Sequence, residues 1–342
     1  MMAARVTAQM VAERAGVSQS AVSRVFTPGA SASSRTVEKV RKAAEELGYR
    51  PNVLARAMVS GRSRMIGLVV AYLDNHFFPD VLERLSNALQ EQGYHVLVFM
   101  ASPTGNVDNV LEEIMGYQVD GIIMASVAMS SDIALRCQAR GVPVVLFNRS
   151  QDIDGLTWVT SDNVNGARQA GEFLVAGGHE RLGYIAGWDG ASTQRDREAG
   201  FRNALADAGR RIFAREVGDF HSERTQDAAL RMFDVPADKR PDGVFVANDH
   251  MATIVMDVLR FDLGLRVPED VSVVGYDDAP PAAWPAYNLT TVRQRVNLMV
   301  EETVGALLEA IETPKDAKPR HVAMDAPLIV RGSARVPEGW TT

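Results

Sequence analysis

At 342 residues the chain is too long for one ordinary hydrophobic core, and 46% hydrophobic with 23% charged residues is a globular composition, not a disordered one. Its net charge of −7 hides an asymmetry: residues 1–64 hold 11 Lys and Arg against 4 Asp and Glu, a net +7, leaving −14 (25 against 39) on residues 65–342. No apolar run is long enough for a membrane span, and the single cysteine, Cys137, excludes an intrachain disulfide.

In chain order, Val6–Phe26 reads as two short helices around a tight turn at Gly16, the layout of a helix-turn-helix. Thr7 and Ser18 stand where each helix would begin, with hydroxyls able to cap unpaired backbone N–H groups. Val11, Ala12 and Ala15 form one apolar face, and Val22, Val25 and Phe26 another. That leaves Gln19, Ser20, Ser23 and Arg24 pointing outward, a set suited to base edges and phosphates. The positive head supports this reading, because only the head then needs to approach a polyanion. A third helix is predicted over Thr36–Leu47, capped near Ser33 and stopped by Gly48. Beyond the break at Pro51, Asn52 is a plausible cap for two helical turns over Val53–Val59. So short a helix is unstable alone in water, so this is a linker that orders when something packs on it.

From Met65 the texture changes to strand-like apolar runs, each followed by a helix-length amphipathic stretch. Ile66–Ala71, Val96–Phe99, Gly121–Met124 and Val142–Phe147 form one set; Leu182–Ala186, Gly243–Ala247 and Val271–Gly275 form a second. The pattern predicts parallel sheets covered on both faces and two similar lobes. The fold class expected is an all-α helix-turn-helix head plus an α/β body of two doubly wound lobes. Ligands in such folds lie beyond the C-terminal strand ends, here marked by Asn148-Arg149, Asn248-Asp249 and Asp277-Asp278. These residues suit a small polar molecule.

No phosphate loop, GxGxxG, GxSxG or HExxH pattern is present, and the six histidines show no metal-ligand spacing. No catalytic residue, metal or cofactor is expected. Cys137 falls in a predicted helix as a structural residue. With no N-terminal run for a signal peptidase, the expected compartment is the reducing cytoplasm.

Head, linker and double body together resemble the lactose-repressor family (LacI/GalR type) of bacterial transcription regulators, with a periplasmic-binding-protein-like body. The markers are Val11-Ala-Glu-Arg-Ala-Gly-Val-Ser18, Val22-Ser-Arg-Val25, Leu47-Gly-Tyr-Arg-Pro-Asn52, Ile66-Gly-Leu68, Phe77-Phe78, Asp162-Asn163, Gly166-Ala167, Gly178-His179, Gly200-Phe201, Asn248-Asp249, Gly275-Tyr-Asp-Asp278 and Leu289-Thr-Thr291. In this order they span essentially the whole chain. The resemblance implies a repressor, homodimeric without a leucine-heptad tail, whose heads bind a pseudo-palindromic DNA operator and whose body binds a sugar-like effector. It implies a DNA-binding domain over 1–50, a hinge over 51–64 and an effector and dimerisation domain over 65–342. Lobe 1 would be about 65–161 plus 293–321, and lobe 2 about 162–292 plus 322–342.

Carried over by position, Gln19, Ser20 and Arg24 would read bases in the major groove, while Ser18 and Ser23 would hold phosphates. Ala55 would permit close approach to the minor groove, and Met58 would wedge between base pairs where the family usually has leucine. Phe77, Phe78 and Phe220 would wall the effector cleft, with Asn148, Thr193, Arg197, Asn248, Asp277 and Gln294 as polar contacts. Besides Met58, four positions depart from the family pattern: Met10 replaces an acidic residue, Ala21 a threonine, His76 a proline and Asn148 an aspartate. The last change removes a charge from the cleft. Two other readings compete: a two-lobed solute-binding protein, which would need export, and an α/β enzyme with a regulatory head, which would show turnover.

Overall fold

The computed structural model describes residues 6–26, 30–50, 62–71, 73–101, 107–127 and 130–340. The chain forms two compact units, Met1–Arg64 and Met65–Thr342, each with its own core. The linker expected over 52–59, with Ala55 and Met58, lies outside the described residues.

The head holds α1 (Ala8–Ala15), α2 (Gln19–Val25) and α3 (Ser34–Leu47). Each begins at a hydroxyl cap: Thr7 accepts from the Met10 N–H, Ser18 from Ala21 and Ser33 from Thr36. Gly16 ends α1 with φ 65°, a left-handed conformation that costs other residues strain, and its N–H returns to the Ala12 carbonyl. The three apolar faces close on Val11, Ala12, Val22, Val40, Ala43 and Ala44. The larger Phe26, Leu47 and Tyr49 side chains, partly buried, pack against this small core.

The body contains two six-stranded sheets. The first is wholly parallel, in the order β11 (His321–Met324), β5 (Thr157–Ser161), β4 (Val144–Phe147), β3 (Gly121–Ala125), β1 (Met65–Val70), β2 (His95–Met100). Its strands bury side chains on both faces. Ile66, Leu68, Ile123, Val145 and Phe147 pack toward α4 (Phe77–Glu91) and α11 (Val296–Glu312). Val69, Ile122, Met124 and Leu146 pack toward α5 (Val107–Gly116) and α6 (Ser131–Ala139). Cys137 on α6 is buried in this second layer, 3.9 Å from the Met115 sulfur, and burial raises its thiol pKa.

The second sheet runs β12 (Leu328–Ile329), β10 (Thr290–Arg293), β9 (Ser272–Asp277), β8 (Gly243–Val246), β6 (Leu182–Ala186), β7 (Ala214–Val217). It is parallel except for β12, which pairs antiparallel with β10. Around it pack α7 (Asn163–Ala176), α8 (Ser192–Asp207), α9 (Ser222–Phe233) and α10 (Asp249–Asp257). Helices α7 and α8 meet backbone to side: a Cβ on Gly200 would lie 2.0 Å from the Val164 carbonyl oxygen.

The chain passes between the sheets three times, after Ser161, after Arg293 and after Met324. The last passage lies past the expected residue 321, because His321–Met324 extends the first sheet by pairing with Trp158–Ser161. All three passages stand at the β5/β11 and β10/β12 edge, leaving the C-terminal ends of β3, β4, β6, β8 and β9 to face one another across a cleft.

Candidate functional site

On the head, Ser18, Gln19, Ser20, Ser23 and Arg24 are all exposed, on the side of α2 away from buried Val22. The Ser18 hydroxyl is already engaged, capping Ala21 at 3.2 Å and lying 2.9 Å from the Ser20 hydroxyl. Those two side chains therefore act as a coupled pair, while Gln19 and Arg24 project with longer reach. Met10, on α1, is 40% exposed.

In the body, a cavity of about 20 Å3 lies between the facing strand ends. Lobe 1 supplies Asn75, Phe78, Ser126, Asn148 and Arg149; lobe 2 supplies Thr193, Arg197, Phe220, Asn248 and Asp277. Four of these residues hold left-handed backbone: Ser126 (φ 58°), Asn148 (71°), Phe220 (59°) and Asp277 (121°). Such conformations are costly for residues with a Cβ and persist where the surrounding structure enforces them. Their concentration at one cavity shows that the strand ends bend to aim side chains inward. Phe220 lies flat on Gly187, where a Cβ would stand 2.1 Å from its ring.

Arg197 is the centre of the polar network. Its Nε donates to Asn163 Oδ1 at 2.8 Å, Nη1 to the Ala247 carbonyl at 2.6 Å and Nη2 to Asp277 Oδ1 at 3.2 Å. The guanidinium also sits 3.7 Å from the centre of the Tyr276 ring. Asp277 Oδ1 accepts a further bond from Gln294 Nε2 at 2.8 Å, and Gln294 Oε1 accepts from the Ser161 hydroxyl at 3.1 Å. Ser161 and Gln294 stand at the first two passages between sheets, so the buried ion pair is hydrogen-bonded through to the segments that connect the lobes. Burial pushes the Asp277 carboxyl up to about 6, with Arg197 pulling against that rise.

Across the cavity, Asn148 Nδ2 donates to the Ser126 hydroxyl at 2.7 Å. Its Oδ1 is buried and has no hydrogen-bond partner among the described residues. A buried acceptor of this kind costs free energy until a donor reaches it, so the position favours a ligand hydroxyl or N–H. An aspartate here would add a further carboxylate to a cavity already lined by Asp277; asparagine keeps the acceptor and adds a donor.

Most residues expected at the cleft meet at this cavity, and two do not line it. Phe77 is buried in the lobe 1 core, edge-on to Phe78 with ring centres 5.2 Å apart. Gln294 stands behind Asp277 and orients it. Asn75 and Ser126 line the cavity although sequence reasoning did not single them out, and Arg149, read from the sequence only as a strand-end residue, lines it as well. Asn75 Oδ1 accepts from the Phe77 N–H at 3.1 Å just before α4, and Arg149 follows Asn148 with its guanidinium 5.6 Å from the Trp188 ring. His76 sits at the start of α4, 6.1 Å from Trp284 of the other lobe.

Comparison with known proteins places both units. Residues 7–52 match the model for bacterial regulatory proteins of the lacI family, and residues 172–334 match a periplasmic binding protein-like domain. The chain is 33% identical over 340 residues to the HTH-type transcriptional regulator CelR of Thermobifida fusca, covering 96% of this chain and 98% of that protein. A solved CelR–cellobiose complex is 32% identical, covers 96% of this chain and all of that one, and superimposes with a TM-score of 0.71. A Lac repressor dimer bound to operator and the anti-inducer ONPF is 28% identical, with coverage of 96% and 99% and a TM-score of 0.85. Among the described residues no helix is long and apolar enough to cross a membrane. A helix-turn-helix head, a two-lobed body with a polar cleft and identity sustained over nearly the whole length place this chain in the lacI family of bacterial regulatory proteins.

Proposed function

We propose that this regulator represses transcription from a pseudo-palindromic operator under the control of a sugar-like effector held between the lobes, acting as a homodimer in the cytoplasm without catalysing a reaction. The observation that carries the effector reading is the cavity itself: Arg197 and Asp277 on one lobe face a buried, unsatisfied Asn148 oxygen on the other. Donors and acceptors of both kinds beside the Phe78 and Phe220 rings match hydroxyls and C–H faces of a sugar. Related proteins bind such ligands, CelR being solved with cellobiose.

In this reading Gln19, Ser20 and Arg24 read bases, Ser18 and Ser23 hold phosphates, and Ala55 and Met58 belong to the minor-groove hinge. Thr193 and Asn248 complete the ligand's polar contacts, and Gln294 positions Asp277. The body spans 65–342 with the lobe limits set out above, the last return placed after Met324. Val98 and Met100 on edge strand β2, with Phe261, leave apolar side chains exposed that a second copy would cover.

The test is calorimetric titration of a sugar panel into wild type and Arg197→Ala, paired with operator gel shifts. Removing a cavity-lining guanidinium, and with it the bonds that hold Asn163 and Asp277 in place, should weaken effector binding about 10- to 100-fold. Operator binding without effector should stay near wild type if the effector releases DNA. Unchanged effector affinity in Arg197→Ala would reject the cavity as the ligand site.

A further inference from the structure

Behind the cavity, within lobe 2, Gly275 of β9, Asp249 at the start of α10 and Thr291 of β10 meet around one buried carboxyl. Asp249 Oδ1 accepts from the Thr291 hydroxyl at 2.6 Å, and Oδ2 accepts from the Ala279 N–H at 2.9 Å. Gly275 makes room for this carboxyl: a Cβ there would stand 2.3 Å from Asp249 Oδ1. Asp249 itself does not line the effector cavity.

The two segments joined by this carboxyl each carry a cavity residue. Asn248, which lines the cavity, immediately precedes Asp249 and caps the same helix by accepting from the Met251 N–H at 3.0 Å. Ala279 ends the turn that carries Asp277, in which Asp277 (φ 121°) and Asp278 (φ 56°) both hold left-handed backbone. Such a turn is strained and persists only where its neighbours fix it. Arg293 and Arg331 each hold the Asp278 carboxylate at 2.6 Å, Gln294 holds the Asp277 side chain, and the bond from Ala279 to Asp249 fixes the far end of the turn. Thr291 is paired with Gly275 in the sheet, so Asp249 is anchored on the centre of lobe 2. Burial, with Asp277 nearby, pushes the Asp249 carboxyl well above its ordinary value of 3.8. A neutral acid keeps both contacts, its O–H donating to Thr291 Oγ1 while the other oxygen accepts from Ala279.

We infer that Asp249 is a positioning residue for effector binding: its carboxyl clamps the segments of Asn248 and Asp277 to β10, and so sets the placement of two ligand contacts without touching the ligand. This rests on reading the cavity as the effector site. The clamp acts through hydrogen bonds and not through charge, so a side chain of the same shape with one donor and one acceptor replaces it.

The experiment pairs titration calorimetry with hydrogen exchange on the full chain, in wild type, Asp249→Asn, Asp249→Ala, Thr291→Val and, as a control for the cavity, Arg197→Ala. The probes are cellobiose, maltose, sucrose, glucose and galactose, and the one that binds wild type most tightly is carried through the variants. Asp249→Ala should weaken its binding about tenfold or more and Thr291→Val about fivefold, while Asp249→Asn should stay within about twofold of wild type. Backbone amides of residues 277–284 should exchange faster in Asp249→Ala and at the wild-type rate in Asp249→Asn. Unchanged affinity in Thr291→Val, or Asp249→Asn as weak as Asp249→Ala, overturns the clamp; Asn and Val keep the packing volume, so these two variants decide the matter if Asp249→Ala fails to fold. If the Asp249 and Thr291 variants bind like wild type and Arg197→Ala does not, the cavity stands and the clamp alone falls. If Arg197→Ala binds like wild type, the cavity reading fails and the effector role of Asp249 fails with it. If no probe binds wild type, exchange decides: amides unmoved in Asp249→Ala overturn the clamp, and faster exchange that Asp249→Asn restores supports it.

Discussion

Asp277 carries the sharpest consequence of the cavity's construction. Its carboxyl is fully buried, and desolvation holds its pKa at about 6, above the usual carboxylate value of 3.8. A folded pKa raised in this way means that the free protein gains stability from Asp277 as pH falls from about 6 toward 3.8, because the folded state then binds the extra proton. Effector binding should run the other way. A carboxylate that accepts ligand hydroxyls, and that holds Arg197 by charge, works in its ionised form. Effector affinity should therefore be flat above pH 7 and decline as pH drops through 6. Asp277→Asn should lower affinity at neutral pH and flatten the profile. Calorimetry between pH 5 and 7.5 checks this; a wild-type affinity that held constant across that range would remove Asp277 from the ligand's contacts.

At the scale of elements, the α7–α8 contact is the tightest joint in lobe 2. A methyl on Gly200 would overlap the Val164 carbonyl, a backbone atom that cannot rotate away, so Gly200→Ala must push the helices apart. Overpacking of this kind costs about 1–3 kcal/mol. Urea denaturation should show a lower midpoint with an unchanged slope, and because Arg197 lies one turn earlier on α8, effector affinity should fall as well. A midpoint equal to wild type would show that the contact relaxes freely.

The same scale shows what the sequence made legible. Helix starts at Thr7, Ser18 and Ser33 were readable because one hydroxyl before an apolar-periodic run serves a backbone N–H three residues on. The central strands announced themselves as unbroken runs such as Gly121–Met124, buried on both faces. Strand β5, Thr157-Trp-Val-Thr-Ser161, gave no such run, since Thr160 and Ser161 use their hydroxyls on Asn148 and Gln294. Short β7 and the passage strands β10, β11 and β12 were silent for similar reasons: half-exposed or polar residues pair there because the neighbouring strand is in place. Asn148 and Asp277 were visible as polar residues at strand ends. That Gln294 lies behind Asp277, and Phe77 within the core, depends on helix rotation and backbone bends that residue order does not encode.

For the whole molecule, the polar network links the cavity to the connections between the lobes: Arg197 and Asp277 reach Ser161 through Gln294 at the passages between sheets. An effector that binds one lobe arrangement better shifts the body toward it, and linkage then requires operator DNA to change effector affinity by the same factor. The measurement that tests this most directly is effector titration with and without saturating operator, set beside operator titration with and without saturating effector, at one fixed salt concentration. The two factors should be equal, about 5- to 150-fold as allosteric couplings usually are. A chain beginning at Met65 should keep effector binding and show no operator effect. Effector affinity unmoved by operator in the full chain, or operator binding retained by the body alone, would contradict the account.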